Sequence, residues 1–170
     1  MKKFAISMML LLLAVSPAMA DKSVEGSSVN FVSYEHDSQI LTLEICNGSV
    51  DAEWHVSSTI TLPSCLTFQD ASYDDGGLGY LYAFSGIGSS TLVMTDDDEG
   101  YGELHGGECL TLTLRLGNGC VDPTQLCMDW DFVGDVYGGE PHTVSGSICD
   151  DNTPVSNVDF SMDSLKSMYR

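Results

Sequence analysis

The stretch that most restricts the fold is Leu104–Leu116, Leu-His-Gly-Gly-Glu-Cys-Leu-Thr-Leu-Thr-Leu-Arg-Leu. After its Gly-Gly turn it alternates without a break. Leu110, Leu112, Leu114 and Leu116 point one way, and Thr111, Thr113 and Arg115 point the other. A period of two belongs to a β-strand, with one face in a core and the other in water. The expectation from this stretch is architectural: a half-buried strand at the centre of the chain.

The same alternation recurs along the sequence. Val29–Tyr34 reads as a first strand, and Ile40–Cys46 as a second with Leu41, Leu43 and Ile45 together on one face. Asn47-Gly48-Ser49 reads as a turn, because Asn and Gly tolerate positive φ. It also spells a glycosylation sequon, which a bacterial style of leader makes unimportant. In Trp54–Leu62, Trp54, Val56, Ser58, Ile60 and Leu62 form one face, and His55, Ser57, Thr59 and Thr61 the other. Pro63 ends that ladder, since it has no N–H to donate.

Leu66 and Phe68 resume the pattern, and Asp70–Gly79 reads as an acidic, glycine-rich loop. Tyr80, Tyr82 and Phe84 mark a further strand, Gly86-Ile87-Gly88 a turn, and Thr91–Thr95 a short strand. Asp96–Gly102 is a second acidic loop, and Gly117-Asn118-Gly119 a hairpin-type turn. Met128, Trp130 and Phe132 alternate, as do His142, Val144, Gly146 and Ile148. About eight short strands with turns between them, and no sustained helical period before residue 155, predict an antiparallel β-sandwich. Parallel pairing would need crossover helices that the pattern does not supply.

The ends read differently. Met1-Lys2-Lys3, an apolar run from Phe4 to Val15 and Ala18-Met19-Ala20 predict a secretory signal peptide over residues 1–20. The run falls short of the about 20 apolar residues that a spanning helix needs, so no transmembrane segment is expected after cleavage. Asp21 follows the cut, not the cysteine of a lipid-attachment site. Residues 21–28 form a polar lead-in, 29–150 the sandwich domain, and 151–170 a linker and short C-terminal tail. In the tail, Val158, Phe160 and Met162 sit at strand spacing, whereas Val158, Met162, Leu165 and Tyr169 sit at helix spacing. The expectation carried forward is an assembly tail that adds a strand to a neighbour's sheet edge; a short helix on its own domain, or a loose end, are the alternatives.

Charge and cysteines bound the setting. The chain has 25 acidic residues against 6 Lys and Arg. Lys2 and Lys3 leave with the leader, so Lys22, Arg115, Lys166 and Arg170 remain. Nucleic acid is excluded as a partner, because phosphate binding needs clustered cations. Acidity of this kind suits solubility, cation binding or a basic partner. Cys46, Cys65, Cys109, Cys120, Cys127 and Cys149 are an even set in an exported chain and read as up to three disulfides, with pairing left open. No C-x-x-C occurs, which argues against a zinc ribbon or a thioredoxin-like site.

Two segments resemble a known family. One ends Ile-Thr-Leu-Pro-Ser-Cys-Leu-Thr-Phe at Phe68, and the other runs Tyr-Gly-Glu-Leu-His-Gly-Gly-Glu from Tyr101 into the alternating leucines. They resemble the conserved repeat domain of bacterial and archaeal surface proteins, an immunoglobulin-like domain of unknown function. The resemblance spans about Gln39–Ile148. It implies an immunoglobulin-like sandwich in a surface, wall or filament setting, and it carries over no catalytic residue. Cys65 and Cys109 fall at the two family turns, and the resemblance implies that they meet.

Site chemistry is sparse. There is no Gly-x-Ser-x-Gly nucleophile elbow, and Gly86-x-Gly88 lacks the third glycine and helix of a phosphate loop. His36, His55, His105 and His142 are scattered, and His105 with Cys109 reads as a turn residue and a disulfide half, not as metal ligands. The best candidates are the acidic loops. Asp96, Asp97, Asp98 and Glu99 could supply oxygen ligands to calcium, which takes ~6–8 of them on flexible loops. A solvated charge cluster explains them too. Asp74-Asp75 lies in the other acidic loop, and Tyr73, Tyr80, Tyr82 and Tyr101 flank both, a composition suited to sugar or protein contact or to core packing. The first functional reading is a secreted, non-enzymatic structural or adhesive module of a surface or matrix, such as a filament subunit, partnered by itself or another surface protein. A calcium-dependent glycan- or protein-binding module is the alternative, and a hydrolase a distant third. The expected location is extracellular or at the cell surface, with the periplasm as a variant.

Overall fold

Alternating strands with one apolar face must stack those faces together, and this chain does so with two sheets. The computed structural model describes residues 23–50, 53–98, 100–117 and 126–150. The leader, Glu99, Cys120 and the tail residues Val158, Phe160 and Met162 lie outside the described residues. Nine strands are described: β1 Ser28–Glu35, β2 Ile40–Cys46, β3 His55–Thr61, β4 Thr67–Asp74, β5 Tyr82–Ser85, β6 Thr91–Asp96, β7 Cys109–Gly117, β8 Cys127–Gly134 and β9 Thr143–Cys149. One sheet has the order β1-β2-β7-β4 and the other β5-β6-β3-β8-β9. All pairings are antiparallel. The result is the antiparallel sandwich that the alternation predicts, with nine strands where about eight were expected.

The central stretch becomes β7, flanked by β2 and β4. Its four leucines at 110, 112, 114 and 116 are buried and meet Leu41, Leu43, Ile45 and Phe68 from the flanking strands. Across the core stand Ile60, Leu92, Met94, Met128 and Phe132 of the second sheet. Burying one such side chain contributes about 1.5–3 kcal/mol, so the interior of the sandwich is its main source of stability.

Several local expectations change. β4 continues through Asp70–Asp74, which the acidic composition marks as loop; a bulge at Gln69 keeps this edge strand paired with β7. Asn47-Gly48-Ser49 is not an exposed turn: Asn47 and Ser49 are buried, and neither Asn47 nor Gly48 has positive φ. Gly48 is required for closeness, because a Cβ there would lie 2.1 Å from the backbone of Gly26. With its side chain enclosed, Asn47 is also no glycan acceptor. The assignment of His55 to the outer face is overturned as well. The β3–β8 register shifts between His55 and Ser57, so a bulge at Val56 turns His55 inward beside Ser58 and Ile60.

The disulfides follow strand pairing. Cys46 bonds Cys109 and Cys127 bonds Cys149, each pair directly opposed on neighbouring strands with Cα atoms 4.0 Å apart. This corrects the pairing of Cys65 with Cys109 implied by the family turns. Cys65 lies between β3 and β4, at the end of the sandwich opposite the start of β7, and is itself disulfide-bonded.

Candidate functional site

The strand registers sort the connections into two ends. Of the described residues, 23–27, 47–50, 53–54, 75–81, 97–98, 100–108 and 135–142 gather at one, here the loop end; 36–39, 62–66 and 86–90 gather at the other. Both acidic loops are at the loop end, together with the tyrosines that flank them.

Beneath those loops lies a buried polar floor. Asn47 ties three segments: its amide donates to the carbonyls of Glu53 (2.8 Å) and Leu104 (2.7 Å), and its Oδ1 accepts from the Ser49 N–H (2.9 Å). His55, turned inward by the Val56 bulge, contacts the Tyr82 hydroxyl and the Ser58 hydroxyl, each at 2.8 Å. Burial holds its imidazole far below the ordinary range, at about 3, so it is neutral at physiological pH. Tyr82 also accepts the Leu104 N–H at 3.1 Å, and burial drives its phenol upward. Glu53 is fully enclosed and accepts from His142 Nδ1 at 2.8 Å, while its other oxygen has no hydrogen-bond partner among the described residues.

The rim is acidic and aromatic. Trp54 stacks on His105, with ring centroids 4.3 Å apart. Tyr80 donates to the Glu108 carboxylate, which also accepts the His105 N–H at 2.9 Å. Asp75 accepts the N–H groups of Gly77, Gly79 and Tyr80 at 2.7–2.9 Å, and these bonds hold its carboxyl below the usual range. Asp74 likewise accepts from Gly76. These two carboxylates organise their own loop.

In the other acidic loop the set that converges is Asp96, Asp98 and Glu103, whose carboxylate oxygens lie within 4.8 Å of one another. Of the sequence-predicted group, Asp96 and Asp98 meet, Asp97 is exposed outside the set, and Glu99 is outside the described residues. Glu103 was missed because it is remote from the acidic run. Gly102, with φ of 99°, folds it back onto Asp96 and Asp98; a Cβ there would lie 2.8 Å from the His55 carbonyl. The turn glycine just before Glu103 was the available signal. Burial, and then the charges of Asp98 and Asp96, raise the Glu103 carboxyl above the usual range. The second group of donor type, Glu44 with Cys46 and Cys109, has its sulfurs committed to a disulfide.

Exposed apolar side chains complete the rim. Val50, Leu78, Leu81, Tyr101, Val136 and Tyr137 are all at the loop end, with Tyr101 and Tyr137 exposed by 74% and 76%. Val136 has a φ of 57°, a left-handed conformation that a β-branched residue adopts only under local constraint.

Two packed antiparallel sheets with this order define an immunoglobulin-like sandwich. No protein-family profile matches the chain, and no curated protein does. Solved structures do. The full-length major pilin SpaD of Corynebacterium diphtheriae aligns with a TM-score of 0.52 at 18% identity, over 71% of this chain and 34% of the pilin. Domains D2 and D3 of the same pilin align at 0.48 and 18% identity, over 71% of this chain and 49% of that fragment. A collagen-binding domain from a Staphylococcus aureus adhesin aligns at 0.46 and 5% identity, over 73% and 97%. The chain thus spans a third of the whole pilin and about half of its two-domain fragment. At these identities the likeness is one of fold, and it agrees with the immunoglobulin-like sandwich that the resemblance of the sequence motifs implies.

Proposed function

We propose that this protein is a non-enzymatic structural or adhesive module of a cell surface or matrix, which makes its contacts through the loop end. One observation carries the reading: of the eight large apolar side chains exposed among the described residues, six stand at that end. Exposed apolar groups gathered in one region and ringed by polar residues are the usual mark of an interaction surface. Tyr and Trp suit such a surface, since they offer large contact area at low conformational cost. The ring of carboxylates selects a basic surface on a partner protein. Strand-to-strand disulfides support an oxidising, extracellular setting, and the fold shared with a major pilin is in keeping with a filament subunit. The test is a binding panel of matrix proteins, glycans and the protein itself, comparing native chain with Tyr101→Ser/Tyr137→Ser. Saturable binding that the double variant loses at unchanged melting temperature supports the reading. Equal binding by both proteins overturns it.

The convergence of Asp96, Asp98 and Glu103 favours calcium dependence as a second reading. Three carboxylates at this spacing repel one another, and a bound divalent ion would relieve that repulsion. Millimolar calcium should then raise the melting temperature, by an amount equivalent to ~2.7 kcal/mol at a hundredfold excess over the dissociation constant. Glu103→Gln should remove the rise and Asp97→Asn should not. A matching rise from sodium at equal ionic strength means screening alone.

A further inference from the structure

Where the 135–142 segment returns to the sandwich, three side chains stand in line: Glu53, His142 and Glu140. Glu53 is fully enclosed, and its carboxylate has one hydrogen-bond partner among the described residues, His142 Nδ1 at 2.8 Å. The chain makes room for that carboxylate with a glycine, since a Cβ on Gly134 would lie 2.3 Å from Glu53 Oε1. The backbone holds His142 in place as well. Its carbonyl accepts the Gly134 N–H at 2.9 Å, and the neighbouring Pro141 carbonyl accepts the Val24 N–H at 3.2 Å.

The other ring nitrogen faces Glu140. His142 Nε2 lies 3.4 Å from a carboxylate oxygen of that residue, whose side chain is 84% exposed. A neutral imidazole that donates through Nδ1 carries a lone pair on Nε2. A lone pair and a carboxylate oxygen repel each other unless a cation stands between them. Among the described residues no Lys or Arg does so: the single one, Arg115, lies on β7 toward the far end. A proton on Nε2 would draw the carboxylate to the ~2.7–2.9 Å of a charge-assisted bond. The observed gap is wider. It matches two ligands of one tetrahedral ion: with bonds of about 2.0–2.1 Å to nitrogen and about 2.0–2.2 Å to oxygen, those atoms stand about 3.3–3.5 Å apart.

We propose that His142 and Glu140 are two ligands of a divalent transition-metal site of the zinc class, with Glu53 as the carboxylate that orients the imidazole. Imidazole suits zinc, copper and nickel, whereas calcium and magnesium take oxygen. A ligating histidine almost always gives its other N–H to a carboxylate, carbonyl or water, which fixes the tautomer and makes the ligand more basic. Glu53 supplies that partner from the interior. Two protein ligands leave two tetrahedral positions to water or to a side chain of a bound partner. The site stands at the loop end but shares no residue with Asp96, Asp98 and Glu103, and it does not depend on the contact surface proposed there.

Isothermal titration of the full chain with zinc chloride tests it, read together with nitrogen NMR of the histidine rings. The native protein should take up one zinc ion, and among the four histidines only His142 should shift, at Nε2. Losing a supporting carboxylate costs about 10–100-fold in metal affinity, and losing a ligand costs no less. Glu53→Gln should therefore weaken zinc by that factor, and Glu140→Gln by at least about tenfold. Because Glu140 is exposed, its variant should keep the native melting temperature, and Glu103→Gln should bind zinc as the native chain does. Equal zinc affinity in the native chain and Glu140→Gln overturns the proposal. So does a shift at His36 or His105 in place of His142, and so does an absence of zinc binding, which leaves the gap to a proton.

Discussion

The two ends of the sandwich are closed by different chemistry, one almost wholly apolar and the other with a buried polar floor. At the far end, Leu62, Leu66, Phe68, Leu116, Leu126 and Met128 are buried, and backbone bonds such as Phe68 N–H to the Ser89 carbonyl (2.8 Å) tie the turns. At the loop end, the apolar Val24 and Leu104 are joined by Asn47, Glu53, His55, Ser58 and Tyr82, buried side chains that are polar or bear a polar group. The apolar end is held by area, which tolerates small displacements. The polar end is held by directional bonds, and a buried group that loses its partner costs about 1–3 kcal/mol. A floor of that kind fixes the loops above it in one arrangement. This is what a contact surface made of exposed Tyr, Val and carboxylate side chains requires.

The largest effect is expected at the apolar end. Leu66→Ala removes a fully enclosed side chain and should cost about 3–5 kcal/mol in urea unfolding, with the loop end's binding unchanged. A cost below ~1 kcal/mol would show that this end is loosely packed. Asn47→Ala comes next, at about 2–4 kcal/mol, since the carbonyls of Glu53 and Leu104 and the Ser49 N–H all lose their partner. Unlike the leucine change, it should also weaken binding by loosening the loops. If both variants affect stability and binding in the same proportion, the distinction between the ends fails.

Acid should act on the polar end. His55 is held at about 3 in the folded chain against an ordinary 6.5. As pH falls below 6.5 the unfolded chain takes up the proton first, so stability declines from there until about pH 3. The slope is ~1.4 kcal/mol per pH unit, or about 2 kcal/mol by pH 5. Denaturation curves between pH 7 and 5 measure it, and His55→Gln should flatten that part of the profile. The smallest effect belongs to Glu103→Gln. Its carboxyl is raised, so neutralising it should stabilise the calcium-free protein slightly at pH 7, by under about 1 kcal/mol, and the gain should vanish as pH falls through the carboxylate range.

The same contrast explains what could be read in the sequence. Most strands, the leucine face of β7 and the sandwich itself were legible, because apolar burial imposes a period of two that survives without knowledge of the fold; the acidic second half of β4 was not. The far-end closure was legible for the same reason: Leu66 and Phe68 keep the alternation across Pro63. The polar floor was not. A bulge at Val56 reverses the face of His55, and alternation read from the sequence places that residue in water. Asn47 resembles a turn residue, and only the long-range carbonyls of Glu53 and Leu104 reveal it as a tie. Two of the three carboxylates of the acidic site were visible as Asp96 and Asp98. Glu103 joins them through the backbone geometry of Gly102, which a linear run of acids does not encode. The pairing of Cys46 with Cys109 depends on the β2–β7 register, so motif position alone misassigned it.

The most direct test compares one change at each end for binding to the same immobilised partner. Tyr101→Ser/Tyr137→Ser alters the exposed rim of the loop end, and Ile87→Ser alters the exposed apolar residue of the far-end turn. Interface aromatics that anchor a contact typically cost ~2 kcal/mol or more when truncated, about thirtyfold in affinity. The account predicts that loss for the tyrosine pair and native affinity for Ile87→Ser, with both proteins folded. Native affinity in the tyrosine variant together with lost binding in Ile87→Ser would place the contact surface at the other end and contradict it.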